Sequence, residues 1–89
     1  MDISPNNLIF HELIGLFAEV SDSTNSSLVG IKGKVVDETR NLLVIGDKKI
    51  PKAYSTFIFS IPNNKVKVDG KLLVSRPEDR IKRRLRGGK

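Results

Sequence analysis

The 89-residue chain reads as a mainly β domain: a small twisted antiparallel barrel of about six strands, with a short helix at each end. Three observations carry that expectation. The first is the stretch 28–45, LVGIKGKVVDETRNLLVI, in which two apolar runs flank the polar knot Asp37-Glu38-Thr39-Arg40-Asn41. Period-two alternation broken by turn-forming residues describes two strands joined by a tight turn. The second is the presence of Gly30 and Gly33 in the first of those strands. Glycine inside a strand marks a bulge, a bend or a close backbone approach, and a small sheet needs bends to curl onto itself. The third is the number of further short strand signals separated by turns. A closed or nearly closed barrel accommodates them without the exposed edges of a flat sheet.

The elements follow in order within a single domain, 1–89. Residues 4–14 are expected to form a helix: Ser4 can cap it and Pro5 suits its first position. Ile9 with Leu13, and Phe10 with Ile14, make one apolar stripe, and Gly15 ends the helix. The barrel is expected over 16–74. Leu16, Ala18 and Val20 alternate as a first strand, and the polar run 21–27, SDSTNSS, reads as a mobile loop. After the central hairpin, Gly46-Asp47 turns the chain into Lys48-Lys49-Ile50, which Pro51 closes at an edge or strand end. Thr56 to Ile61 is the strongest β signal, with Phe57 and Phe59 expected in the core. Pro62-Asn63-Asn64 turns the chain again. Val66-Lys67-Val68 and Leu72-Leu73-Val74 read as a hairpin about Asp69-Gly70. A basic helix is expected over 76–86, capped by Ser75 with Glu78 and docking through Ile81 and Leu85.

Composition narrows the function. Sixteen basic residues oppose ten acidic ones, for a net charge of +6. Residues 76–89 hold seven basic and two acidic residues, so nearly all the excess sits at one end. That distribution points to a polyanion, and to nucleic acid over a membrane, because no strongly apolar face accompanies it. No cysteine is present, which excludes disulfides and thiolate metal sites and fits a reducing, cytoplasmic setting. No apolar run reaches the ~18 residues of a membrane helix.

Enzyme chemistry is missing. His11 is the single histidine, with no second histidine or cysteine to share a metal and no serine at readable spacing to activate. Gly30-x-x-Gly33 lacks the lysine and helix of a phosphate-cradling loop. No catalytic residue, metal or cofactor is therefore assigned. RNA binding has better support. Lys32 and Lys34 share a strand face, Arg40 sits at a turn, and Lys48, Lys49 and Lys52 cluster in the next segment. Arg76, Arg80, Lys82, Arg83 and Arg84 add the C-terminal set. With Tyr54 the only tyrosine and Phe57 and Phe59 expected in the core, backbone and shape recognition of structured RNA fits better than base stacking. Leu8, His11, Glu12, Val29 and Ile31 are assigned to a protein-partner surface.

The motifs Asn7-Leu8-Ile9-Phe10-His11-Glu12-Leu13-Ile14-Gly15-Leu16, Ser23-Thr24-Asn25 through Val44-Ile45, Thr56-Phe57-Ile58-Phe59, and Val68-Asp69-Gly70-Lys71-Leu72-Leu73 with Arg76-Pro77-Glu78-Asp79-Arg80 resemble the Sm-like protein subunit of ribonuclease P. The resemblance covers most of residues 7–83. It implies an Sm-like barrel with flanking helices, in a ribonucleoprotein that removes the 5′ leader of precursor tRNA. In that family the RNA carries the active site, and the implied partners are ribonuclease P RNA, a zinc-binding protein subunit and other ribonuclease P proteins, with precursor tRNA met indirectly. The short chain resembles archaeal members. Phe10 stands where relatives often carry a basic residue, and Ser26 where a proline is common. The competing expectations are an Sm-like homo-oligomeric ring that binds RNA and a barrel that binds only protein.

Overall fold

The computed structural model describes residues 8–79. Six antiparallel strands form one sheet: β1 (Phe17–Ser23), β2 (Lys32–Glu38), β3 (Leu42–Ile45), β4 (Lys48–Pro51), β5 (Ser55–Ile61) and β6 (Asn64–Asp69). Their order is β4-β3-β2-β1-β5-β6. The first four strands meander, β5 returns to the free side of β1, and β6 adds outside it. The sheet curls without closing, so β4 and β6 remain edges. Pro51 ends β4 opposite Leu42, where its missing N–H costs no ladder bond.

Alternation places the core. In β5 every second residue is buried, and Phe57 and Phe59 point inward with ring centroids 6.0 Å apart. Ala18 and Val20 of β1, Val35 of β2, Leu43 and Ile45 of β3, Ile50 of β4 and Val68 of β6 complete the inner face. The β2 ladder is bulged between Val35 and Asp37 opposite β3, and β1 between Val20 and Asp22 opposite β5. Such bulges tighten the twist that a curled sheet requires. Gly30 lies in the turn ahead of β2, not within the strand, with φ of +93°. Its N–H donates to Val20 O while Val20 N–H donates to Ile31 O, locking the turn onto β1.

Three segments differ from the sequence reading. Of the helix expected over 4–14, residues 4–7 lie outside the described residues, and residues 8–14 do not form an α-helix. A 3₁₀ turn spans Leu8–Phe10, and Leu8 and Leu13 both insert into the core from irregular backbone. The polar run 21–27 is not one free loop. Ser21 to Ser23 extend β1, because β5 supplies ladder partners and Ser23 Oγ accepts from Ser55 Oγ at 3.1 Å. Asn25 then caps a 3₁₀ turn, Ser26–Leu28, its Oδ1 accepting from Ser27 N at 3.1 Å. Residues 72–74 are not a strand: a 3₁₀ turn covers Gly70–Leu73, capped by Asp69 accepting from Lys71 N at 3.0 Å. Residues 77–79 are helical, and the rest of the expected C-terminal helix lies outside the described residues.

Candidate nucleic-acid interface

The residues that alternate with the core make the outer face of β2, β1, β5 and β6. Registers define two cross-strand rows. One runs Lys34, Phe17, Ser60, Lys65, and the other Lys32, Glu19, Ile58, Lys67. All four lysines are exposed, and Phe17 between them is 45% exposed. Four cations and one carboxylate thus frame a shallow floor of Phe17, Ile58 and Ser60. Cations on both margins of a sheet face suit a polyanionic backbone laid across it.

Lys65 and Lys67 were missed by sequence reasoning. A signal existed: Lys65-Val66-Lys67-Val68 repeats the alternation of Lys32-Gly33-Lys34-Val35, so inward valines imply outward lysines. Only the topology, with β5 crossing to β1, shows that the two pairs share one face.

The other assigned cations separate into groups. Lys48 and Lys49 are exposed on edge strand β4. Arg40, in the turn between β2 and β3, meets Arg76 at a cleft they share with Val74, Ser75 and Asp79. Arg80, Lys82, Arg83 and Arg84 lie outside the described residues. Lys52 must be withdrawn from the RNA-binding set, because its side chain is wholly buried. Its Nζ donates to Glu38 Oε2 at 2.7 Å, Thr39 O at 2.7 Å and Leu73 O at 3.0 Å, with Arg40 O and Ser75 O at 3.4 and 3.3 Å. A charge inside a protein persists only when paired and hydrogen-bonded, and both conditions are met. Lys52 spans the gap between the sheet edges, joining the turn after β2 to the chain after β6. Around it, the 3₁₀ turns Lys52–Tyr54 and Gly70–Leu73 pack so closely that a methyl group on Gly70 would overlap the carbonyl oxygens of Lys52 and Ser55.

The assigned partner residues are also divided. Leu8 is fully buried and leaves the partner surface, because it fills the core beside Leu13. Glu12 is exposed, and His11, half-buried, directs Nδ1 to Glu12 O at 3.0 Å. Val29 is exposed on the turn before β2, whereas the neighbouring Ile31 rests partly against the core.

A second cleft, at the far end of the β1–β5–β6 face, sets two carboxylates, Asp22 and Asp69, against one ammonium, Lys71, beside Tyr54. Electrostatically it is a poor seat for RNA. Among the described residues, no three His, Cys, Asp or Glu side chains converge as a metal site, and no helix is long and apolar enough to cross a membrane.

Comparison with known proteins agrees with this architecture. The family model of ribonuclease P/MRP, subunit p29, matches residues 6–83. Ribonuclease P protein component 1 of Methanocaldococcus jannaschii is 49% identical, with 94% of each chain aligned. The protein of the same description from Pyrococcus abyssi is 50% identical over 94% of this chain and 69% of its own. A solved structure of a homologue of the human RNase P protein Rpp29 shares 44% identity, with a TM-score of 0.57 over 80% of this chain and 99% of that one. Matched over residues 6–83 by the family model and over most of its length by such relatives, the chain belongs to the ribonuclease P/MRP subunit p29 family.

Proposed function

We propose that this chain is the RNA-binding, non-catalytic subunit through which ribonuclease P steadies its RNA during removal of the 5′ leader from precursor tRNA. Family membership makes it part of the ribonuclease P complex. The observation that carries the RNA-binding role is the pair of cross-strand rows with Lys32, Lys34, Lys65 and Lys67 exposed around Phe17. Lys48, Lys49, Arg40 and Arg76 extend the positive surface. A sheet face of this kind contacts backbone and shape rather than base identity. The protein-binding side is assigned to Glu12, His11, Val29 and Ile31, and the partner to the zinc-binding subunit of the complex, in the cytoplasm. A homo-oligomeric Sm ring has no support among relatives that are ribonuclease P subunits.

The test replaces Lys32, Lys34, Lys65 and Lys67 with glutamine together. Affinity for ribonuclease P RNA should fall at least tenfold at moderate salt. The slope of log affinity against log salt should flatten by ~0.7–0.9 per lost phosphate contact. Holoenzyme reconstituted with this variant at low magnesium should cleave precursor tRNA more slowly. Unchanged affinity and slope would overturn the assignment.

A further inference from the structure

The cleft shared by Arg40 and Arg76 has a property that the open sheet face lacks: both banks are tied to one atom. On one bank Lys52 Nζ holds Thr39 O and Arg40 O, and on the other it holds Leu73 O and Ser75 O. Lys52 N also donates to Asn41 O at 2.8 Å. The backbone carrying each arginine is therefore fixed relative to the other, although one belongs to the β2–β3 turn and the other to the chain after β6. Among the described residues neither guanidinium has an ion-pair partner, even with Asp79 on the same cleft. Ser75, on the floor, is 8% exposed, and its Oγ has no hydrogen-bond partner among the described residues. A buried hydroxyl without a partner is uncommon and calls for an explanation. Rotation about χ1 re-aims it without moving the backbone.

We propose that this cleft seats one backbone phosphate of the ribonuclease P RNA, with Arg40 and Arg76 as its two cations and Ser75 Oγ as a hydroxyl donor. The proposal rests on the RNA-binding role above and adds a defined seat to it. Two guanidiniums supply planar donor forks to the non-bridging oxygens from two sides. Asp79 favours RNA over an acidic peptide. Its carboxylate repels either anion, but a ribose 2′-OH beside the phosphate can donate to it, a donor that a peptide carboxylate does not carry. Lys52 acts as a positioning residue: it touches no RNA and sets the spacing of the two banks.

The experiment measures binding of the full chain to ribonuclease P RNA across a salt series, for Arg40→Gln, Arg76→Gln, their double variant and Ser75→Ala. Each arginine variant should weaken binding about fivefold. The double variant should flatten the log–log salt slope by ~0.7–0.9, one phosphate's worth rather than two. Ser75→Ala should weaken RNA binding two- to fivefold while leaving the urea midpoint unchanged or raised, since it removes a buried group without a partner. A merely structural serine would lower the midpoint and leave RNA affinity alone, and that result would overturn its role. If the four-lysine variant loses RNA affinity but the arginine double variant binds like wild type, the seat fails and the RNA-binding role stands. If neither set matters, both fail. If the arginine double variant binds RNA normally but no longer assembles with the other protein subunits, the cleft takes an acidic protein segment and the phosphate seat is overturned.

Discussion

The seam around Lys52 and the outer sheet face around Lys32, Lys34, Lys65 and Lys67 use the same side chain in opposite ways. At the seam one ammonium is withdrawn from water and surrounded by oxygens from two separate stretches of chain. On the face four ammoniums stay hydrated and have no ion pair among the described residues. Charge at the seam holds the fold together, whereas charge on the face is available to a polyanion. A lysine's position relative to the gap in the sheet decides between the two uses, since sequence composition is the same for both.

The sharpest way to break that comparison is to neutralise Lys52. Lys52→Met removes the buried ion pair with Glu38 Oε2 and strips a donor from several carbonyls. The expected loss is ~3–5 kcal/mol, as for other buried pairs deprived of one member. That is a large part of the ~5–15 kcal/mol of an ordinary domain. Urea denaturation should show it directly. Adding Glu38→Leu to Lys52→Met should recover part of the loss, because the buried carboxylate that lost the ammonium is replaced by an apolar group, but the carbonyls of Thr39 and Leu73 would still lack their donor. Full recovery would mean that Lys52 serves only Glu38 and does not tie the two banks.

Gly70→Ala probes the same seam through volume. The added methyl meets the backbone oxygens of Lys52 and Ser55, which cannot swing aside as a flexible side chain could. The 3₁₀ turns would have to separate at a cost of ~1–3 kcal/mol. RNA binding should weaken along with stability, since the chain carrying Arg76 moves with that turn. Asp69→Ala is gentler. It removes the acceptor for Lys71 N and should cost ~0.5–1 kcal/mol, the range of a lost cap, read from the thermal midpoint.

The outer face was the more legible region, and the seam the less. The alternation of β2 and β5, the Gly46-Asp47 turn and Pro51 at an edge all follow from local chemistry, and the structure shows them, whereas the turn read at 37–41 is shorter because Asp37 and Glu38 pair with β3 as the end of β2. The seam depends on contacts between distant residues. Lys52 stands in the cluster Lys48-Lys49-Lys52, which reads as a solvated basic patch until Glu38 is known to lie opposite. Leu73 resembles a strand residue until Gly70 is seen against the Lys52 backbone. Leu13 belongs to an apolar stripe that fits a helix and Leu8 reads as partner surface, yet burial needs only these two anchor points and no regular helix between them. Topology, more than propensity, separates Lys65 and Lys67 from an anonymous hairpin and puts them beside Lys32 and Lys34.

The smallest expected effect completes the comparison. Replacing Lys32, Lys34, Lys65 and Lys67 singly with glutamine should move stability by no more than ~0.5 kcal/mol each, the range for surface substitutions away from caps and buried networks. The physical reason is that each ammonium is already solvated, so folding neither strips its water nor gives it a partner. Mutual repulsion adds a sign. Lys32 and Lys34 protrude two residues apart from one strand, as do Lys65 and Lys67. Removing one of each pair should therefore raise the thermal midpoint slightly at low salt and have no effect at high salt, where such exposed charges are screened. Glu19 lies in one of the rows, between Lys32 and Ile58, and partly offsets this, so Lys32→Gln, across from it, should gain less than Lys34→Gln, across from Phe17. A loss of several kcal/mol at any of these positions would mean that the face, like the seam, is built to hold the fold and not to present charge.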